Sequence, residues 1–291
     1  MSKYLNVFNT LAEYQAFSAS TEYVQPNVAL VKETNVLYYD YGNNKPQADM
    51  SNLKVESQES SVGGDNYGNS AITKVNYIPS GITDLTTAFS GFKSLVSVTE
   101  IPSGVTRMTS TFMNCSSLVN APVIPSGVTD MNNTFSGCTS LVNAPKIPSG
   151  VTSLKNTFYY CTSLVNAPEI PSGVTNMNHT FDGCSSLVNA PEIPSGVTNM
   201  ESTFYHCESL ITSPVIPYSV TSMTSTFRYC YSLKELTLLP TTPPSYYYPL
   251  SGCDSLESIY VQDEAVDTYK TATGWSQFAD KFKPLSSKPT K

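Results

Sequence analysis

A 23-residue repeat constrains the fold of this chain more than any other feature of its sequence. Ile-Pro pairs recur at this fixed interval, beginning at Ile78, Ile101, Ile124, Ile147, Ile170, Ile193 and Ile216. The same period places phenylalanine, leucine and cysteine in columns that run over Phe89–Phe227, Leu95–Leu256 and Cys115–Cys253. A unit this short cannot bury its own apolar side chains, whereas stacked copies bury them against one another. The repeat predicts a solenoid of about eight coils with internal columns of identical residues.

The turns within each coil follow from proline and glycine. In Ile-Pro-Ser-Gly, proline suits the second position of a type I turn and glycine the fourth, so a corner is expected there. Two prolines per unit remove backbone donors, which predicts only short strands, near residues 118–120 or 128–129 of one unit. The near-helical spacing of Met131, Phe135 and Cys138 predicts a single helical or 3₁₀ turn on the opposite wall.

The repeat resembles a known family in its spacing. From Cys115, leucine follows after 3 residues, an apolar residue after 6, and Val, Met and Phe after 13, 16 and 20. This pattern is similar to the BspA-type (treponemal) leucine-rich repeat over roughly residues 72–285, and residues 259–270 resemble that family's closing cap. The resemblance implies a leucine-rich-repeat-like solenoid. Ala-Pro stands where the family has a bulky aliphatic residue, and Ile-Pro lies one position late, which implies a thinner or kinked strand wall.

The flanks divide the chain further. Residues 1–50 are expected to form a small α+β attachment module with a helix over 10–17 and a hairpin over 26–31 and 36–39. Residues 51–71 are rich in Ser, Asn and Gly and are expected to be a linker or loop. The solenoid is predicted over 72–258.

The C-terminal segment is expected to close the solenoid. Residues 259–291 are interpreted as a helical cap and tail, preceded by a last strand around Leu256–Val261. Trp275, Phe278 and Phe282 would lie on one face of a helical turn and cover the open end of the core, which a terminal coil otherwise exposes to water.

Composition excludes several classes of function. The net charge is −7 and only 13% of residues are charged, so clustered basic side chains for a nucleic-acid partner are lacking. No apolar run is long enough for membrane insertion, which needs about 18 residues. The first residues of the given chain lack the apolar run of a signal peptide. We therefore expect neither a nucleic-acid partner nor insertion in a membrane.

Candidate chemical sites each have a structural alternative. The seven cysteines share one column and lack the paired spacing of metal ligands, so they are interpreted as small buried residues rather than as disulfides or a metal site. Glu169 and Glu192 are expected to stack on an outer face, with weakly held calcium as the alternative. A second polar column, Asn120, Asn143, Asn166 and Asn189, is expected to fix the register through an inward ladder of amides.

The two histidines, His179 and His206, lie at variable positions without a catalytic motif. The sequence therefore predicts no catalytic residue, no cofactor and no metal. A hydrolase with an unfamiliar site is the remaining enzymatic hypothesis, and it would depend on these two side chains.

Binding is assigned instead to variable positions, because the columns face inward. The C-terminal half concentrates aromatic and basic residues there: Tyr159, Tyr160, Tyr205, His206, Arg228, Tyr229 and Tyr231. Tyrosine offers a stiff apolar face with a polar tip, which suits recognition of proteins or sugars. The alternative is that these rings only shield the wall beneath them.

Two functional hypotheses follow, both for a non-enzymatic protein that displays a binding surface. The helix and hairpin ahead of the repeat resemble the attachment end of virion proteins of phages that infect gut bacteria. This resemblance implies a component of a phage particle, which binds other virion proteins through residues 1–50 and a protein or glycan on a cell surface through the solenoid. The repeat resemblance implies, as the alternative, a bacterial surface adhesin. Both hypotheses place the protein on a virion or an extracellular surface.

Overall fold

The computed structural model describes residues 5–8, 27–31, 36–40, 55–57, 72–75, 78, 82–98, 100–245 and 247–289. Strand β1 (Leu5–Phe8) pairs in parallel with β2 (Asn27–Val31), which pairs antiparallel with β3 (Val36–Asp40). The antiparallel pair agrees with the expected hairpin, whereas β1 was not anticipated. The helix expected over 10–17 lies outside the described residues.

The first coil of the solenoid is covered by an added strand. Strand β4 (Val55–Ser57) pairs antiparallel with β5 (Ile72–Val75), and β5 pairs in parallel with β6 (Ser97–Val98). Residues 51–71, expected to form a linker or loop, thus contain a strand. Because β4 occupies the outer edge of β5, it covers backbone groups of the first coil that would otherwise be open to pairing.

The central coils pair through isolated bridges rather than strands. Within the described residues 100–211 no regular strand forms, and Asn120, Asn143, Asn166 and Asn189 are joined by single parallel bridges to the next coil. A second series joins Asp84 to Arg107 and Arg107 to Asp130. The first series falls at a position where a short strand was expected, and the second lies next to one. The prolines that remove backbone donors explain why the ladders extend no further.

The predicted internal columns are confirmed. Ile, Val, Met or Leu, Phe, Cys and Leu of each central unit are buried in one continuous core. The rings of Phe135 and Phe158 stack with centroids 5.8 Å apart and planes 2° apart, and Phe204 and Phe227 stack at 5.4 Å. Such stacked pairs add about 0.5–1.5 kcal/mol beyond the burial of their area. Each ring therefore fixes the register of the coils on both sides of it.

The phenylalanine wall is not helical, so the prediction of one helical or 3₁₀ turn over 131–138 is wrong. Three successive turns form instead: Thr134 N–H donates to the Met131 carbonyl, Ser136 to Asn133, and Cys138 to Phe135. Asn133 and Gly137 have positive φ, 56° and 75°, which a helix does not allow. The N–H of Asn133 donates across to the next coil. Successive backbone N–H groups along this wall thus donate alternately to a carbonyl of the same coil and to one of the next coil.

The corner lies one residue later than expected. The Val128 N–H donates to the Pro125 carbonyl oxygen at 3.1 Å, so proline is the first residue of the turn and Ser126 and Gly127 are its centre. The same bond recurs in other coils, for example from Val151 to Pro148. Proline remains at the corner, but its carbonyl rather than that of isoleucine accepts the hydrogen bond.

Buried threonine and cysteine side chains link successive coils. The Thr134 hydroxyl lies 2.7 Å from the Met131 carbonyl oxygen and 2.8 Å from that of Met108 in the preceding coil. The Cys138 thiol lies 3.1 Å from the Phe112 carbonyl oxygen of the preceding coil. Both contacts repeat along the solenoid, and all seven cysteines are free. The cysteines are therefore small core residues, as predicted, and they also donate hydrogen bonds.

The expectation of an inward asparagine ladder is wrong. Asn120, Asn143, Asn166 and Asn189 are exposed, and only their backbones form the bridges. Glu169 and Glu192 are exposed, as expected. The next residue, Ala121, packs against the core, and adjacent side chains of an extended chain point to opposite sides, so the Asn120 side chain faces solvent.

The C-terminal end is a four-stranded parallel sheet with a cap. Its strands β7 (Thr212–Ile216), β8 (Glu235–Leu238), β9 (Ser258–Val261) and β10 (Phe282–Pro284) pair in that order. A 3₁₀ turn (Asp263–Ala265) leads into α1 (Val266–Thr271), and further 3₁₀ turns cover Ser276–Lys281 and Leu285–Ser287. The expected last strand, β9, is thus followed by another, β10.

The lid on the core forms as predicted, but Phe282 belongs to strand β10 and not to the expected helical turn. Trp275 and Phe282 are buried and Phe278 packs against the same core. The Trp275 indole donates to the Pro244 carbonyl at 3.0 Å, and the Tyr269 hydroxyl donates to that of Pro240 at 2.9 Å. The aromatic residues of the lid are therefore fixed by hydrogen bonds to the last loop as well as by packing.

Candidate functional site

Two surface columns follow the buried phenylalanines and carry the candidate site, which we call the tyrosine face. The first column contains Tyr159, Asp182, Tyr205 and Arg228, and the second contains Tyr160, Gly183, His206 and Tyr229. Residues of the second column have positive φ, for example 55° at both Tyr160 and His206. This backbone geometry closes the turn that places phenylalanine in the core, and it directs the side chains of the second column outward.

The rings of the predicted site residues contact one another along the face. Tyr159 and Tyr160 form one group, with centroids 4.6 Å apart. In the other group Tyr205 lies 4.6 Å from His206 and 5.7 Å from Tyr229, and His206 lies 4.5 Å from Tyr229. Tyr231 extends this group, 6.1 Å from Tyr229. The sequence thus identified residues that are neighbours, although in two groups.

Arg228 is held by aromatic rings. Its guanidinium carbon lies 4.8 Å from the centre of the Tyr229 ring and 5.8 Å from that of Tyr248, and Nη2 donates to the Tyr229 hydroxyl at 2.9 Å. Its Nε is buried without a hydrogen-bond partner among the described residues. A cation held against tyrosine rings is thus part of this surface.

Asp182 lies between the two ring groups in the first column and was not assigned to the site from sequence. Only 5% of the residue is exposed, and Oδ2 lies 2.8 Å from Nδ1 of His179. The His179 ring in turn lies 6.4 Å from that of Tyr159. The signal that identifies Asp182 is its position one period after Tyr159 and one period before Tyr205, in the same column.

The electrostatics of the face centre on this carboxylate. Burial raises the pKa of Asp182, and the hydrogen bond from His179 opposes that shift. Burial, followed by the Asp182 charge, raises the pKa of Tyr159. Burial also raises the pKa of Tyr205, while the Arg228 charge opposes the shift. Both phenols are therefore uncharged at neutral pH, and the enclosed carboxyl group of Asp182 lies in the column between them.

The wall that carries the asparagine bridges presents a second, apolar surface. The same position is exposed in five coils, at Val96, Val119, Val142, Val165 and Ile211. Near the N-terminal end a groove opens between Val98, Ile101, Pro122 and Val123. This stripe has little hydrogen-bonding chemistry, so it is less selective than the tyrosine face.

Metal-binding and membrane-spanning features are absent from the described part of the chain. Among those residues, no three His, Cys, Asp or Glu side chains are grouped as a metal site would require. None of the helices there has the length and apolar character to cross a bilayer. The His179 ring has Asp182 as its one hydrogen-bond partner within the same residues, so no hydroxyl or thiol nucleophile is paired with it there.

The repeat matches the family model described as "BspA type Leucine rich repeat region (6 copies)" over residues 60–187 and 155–273. Together the matches span well over half of the chain. The chain belongs to the BspA-type leucine-rich repeat family. The family resemblance of the repeat is thereby confirmed.

Solved structures of bacterial leucine-rich repeat proteins are similar to this BspA-type chain. A T. pallidum leucine-rich repeat protein is 27% identical, with coverage of 55% of this chain and 75% of that one and a TM-score of 0.47. A Bacteroides ovatus leucine-rich repeat protein is 17% identical, with coverage of 72% and 76% and a TM-score of 0.43. A leucine-rich cell surface protein of Faecalibacterium prausnitzii is 23% identical, with coverage of 73% and 62% and a TM-score of 0.44. No curated protein matches the sequence.

Proposed function

We propose that this BspA-type repeat protein is a non-enzymatic binding protein that uses its tyrosine face to recognise a protein or glycan on a cell surface. The observation that carries the proposal is the two groups of neighbouring aromatic rings, Tyr159 with Tyr160 and Tyr205 with Tyr229 and Tyr231, in the same surface columns of the solenoid. Tyr160 is 44% exposed and Tyr231 41%, so their rings are available to a partner.

Rigidity makes these rings suitable for binding. The backbone beneath them bonds within and between coils, as when the Tyr160 N–H donates to the Asp182 carbonyl at 2.7 Å. Tyrosine has only two side-chain torsions, so holding it in a complex costs little conformational entropy. A preorganised aromatic surface therefore converts more of its contact energy into affinity than a mobile loop does.

A binding role is favoured over hydrolysis by the surroundings of the histidines. His179 is engaged with Asp182, and His206 packs on Tyr205 and Tyr229 and lies 3.4 Å from Glu208. General-base catalysis needs a reacting group within about 3.2 Å of the base, and neither ring is paired with a nucleophile among the described residues. Both histidines instead support the aromatic surface.

The proposal also concerns the particle or cell on which this surface is displayed. We favour a phage particle, to which residues 1–50 would attach the solenoid through other virion proteins. A bacterial surface adhesin is the alternative. Mass spectrometry of purified particles and of surface-shaved bacterial cells distinguishes the two, because the protein would be recovered from only one of these fractions.

The recognition role is tested with arrays of glycans and cell-surface proteins. The test variant changes Tyr159, Tyr160, Tyr205 and Tyr229 to Ser, and the matched control changes Tyr218, which is 64% exposed elsewhere, to Ser. Circular dichroism verifies that both variants remain folded. The proposal is supported if the test variant, but not the control, no longer binds a glycan or protein that the unaltered chain binds. It is contradicted if both variants still bind everything that the unaltered chain binds.

A further inference from the structure

We propose that the part of the tyrosine face around Asp182 binds a basic side chain, lysine or arginine, of a partner protein. The inference rests on the proposed function of this face and narrows its partner to a protein with an exposed basic residue. Tyr159, Tyr160 and Tyr205 would provide the aromatic contacts, and Asp182 the opposite charge.

The first argument is the position of the carboxylate among aromatic rings. Asp182 lies in one column between Tyr159 and Tyr205, and the Tyr160 ring covers the adjacent Gly183. The phenols of Tyr159 and Tyr205 are close enough to Asp182 for its charge to act on them. A cation placed over these rings interacts with their negative faces and with the carboxylate together, and each attraction strengthens as water is excluded.

The second argument is that this carboxylate lacks a permanently charged partner. No lysine or arginine forms an ion pair with Asp182 in the described part of the chain, where its one hydrogen-bonded side-chain neighbour is His179. A buried carboxylate is normally paired with a charge or saturated with hydrogen bonds. An incoming ammonium or guanidinium group would supply the permanent positive charge that His179 does not.

The third argument is that the chain already forms such a contact two coils away. Arg228 in the same column lies over the rings of Tyr229 and Tyr248. The aromatic surface can therefore hold a guanidinium group, and at Asp182 the equivalent position carries an acid. The net charge of −7 adds a long-range attraction for basic partners.

The test is an NMR titration of the full chain with three small probes, the N-acetyl amides of lysine, arginine and norleucine. Norleucine retains the apolar stem of lysine and lacks its charge. We expect lysine and arginine probes to shift tyrosine ring signals saturably, with norleucine binding at least tenfold more weakly. Equal binding of norleucine would overturn the inference, because the site would then be merely apolar.

Two variants locate the site. Asp182→Asn preserves the shape of the side chain and should lower the affinity for the basic probes about tenfold. Asp254→Asn, at an exposed acid elsewhere, should leave that affinity unchanged. Tyr160→Leu preserves apolar bulk without the aromatic face and should also lower the affinity for the basic probes. This variant provides a test if Asp182→Asn fails to fold. Unchanged affinity in Tyr160→Leu and in a folded Asp182→Asn variant contradicts the inference.

The outcomes separate this inference from the proposed function. Glycan hits that require the tyrosines but not Asp182 would leave the recognition role intact and refute a basic side chain as the ligand. Binding of the basic probes without any surface partner that depends on the tyrosines would support the site and refute the recognition role.

Discussion

The Tyr160 ring lies directly over Gly183, the residue one coil further along the same column. A Cβ built on Gly183 would come within 2.9 Å of the ring, and φ of this glycine is +76°. The same relationship joins Tyr229 to Gly252, where the Cβ would lie 2.7 Å from the ring. Glycine in one coil thus makes the space in which a tyrosine of the preceding coil is held.

Gly183→Ala should therefore destabilise the chain by about 1–3 kcal/mol, because alanine is strained at positive φ and its methyl group displaces the Tyr160 ring. The control is Gly173→Ala, where the nearest atom to the added Cβ is the Ser149 carbonyl oxygen at 3.9 Å. This change should stay within about 1 kcal/mol. Urea denaturation measures both variants, and equal losses would contradict the proposed role of Gly183.

The phenylalanine column should be the most sensitive part of the core. Phe158 is fully buried, with ring centroids of its neighbours at 5.8 and 5.6 Å. Phe158→Ala leaves a cavity and should cost about 3–5 kcal/mol in free energy of unfolding. Tyr231→Ala, at an exposed ring, should cost about 0.5 kcal/mol or less. Similar losses for the two variants in chemical denaturation would be evidence against a stacked column.

Alkaline pH should destabilise the solenoid through its cysteines. Burial raises the pKa of Cys138 from 9.0 to about 12, so the folded chain retains a proton that the unfolded chain releases. This contribution to stability is complete below pH 9 and is lost as the pH rises toward 12. Between these two pKa values, each such thiol lowers the free energy of unfolding by about 1.4 kcal/mol per pH unit.

The number of participating thiols can be counted between pH 9 and 10. The free energy of unfolding in this interval should fall several times more steeply than one thiol explains, because burial also raises the pKa of Cys115, Cys161, Cys184 and Cys207. In Cys138→Ala the free energy of unfolding should fall less steeply with pH, by the contribution of one thiol proton. An identical slope in this variant would show that Cys138 ionises as readily in the folded chain as in the unfolded one.

Removal of the Tyr269 hydroxyl should loosen the cap alone. Tyr269→Phe retains the ring, which packs 5.6 Å from that of Trp275, but leaves the Pro240 carbonyl without its donor. The cost should be about 1 kcal/mol. Fluorescence of Trp275, the chain's single tryptophan, should report this loosening as easier acrylamide quenching before global unfolding. Quenching identical to that of the unaltered chain would argue against a role of this bond in the cap.

The periodicity predicted the inward columns, because only apolar side chains repeated in every unit can share one core. It did not predict that the Phe135 wall is built from turns with positive φ, since Asn133 and Gly137 at the turn centres alternate with other residue types in neighbouring coils. The polar Thr134 repeats as faithfully as its neighbours, yet its buried hydrogen bonds became visible only in the structure.

Polar surface columns were the least predictable feature. Asn120 repeats in four units, and this regularity favoured an inward ladder, although its side chain is exposed beside a backbone bridge. The tyrosine face was predicted from the residues at variable positions, but the burial of Asp182 and its contact with His179 were found only in the structure. A repeat pattern alone does not specify how the side chains at its variable positions pack.

Pulse labelling of thiols with iodoacetamide, read out for each cysteine by mass spectrometry, tests the stacked columns most directly. In the folded chain only Cys253, which is partly exposed, should react, and the buried cysteines from Cys115 to Cys230 should remain unmodified. In guanidinium chloride all seven should react. Rapid labelling of Cys138, Cys161 or Cys184 in the folded chain would contradict the internal columns on which the tyrosine face depends.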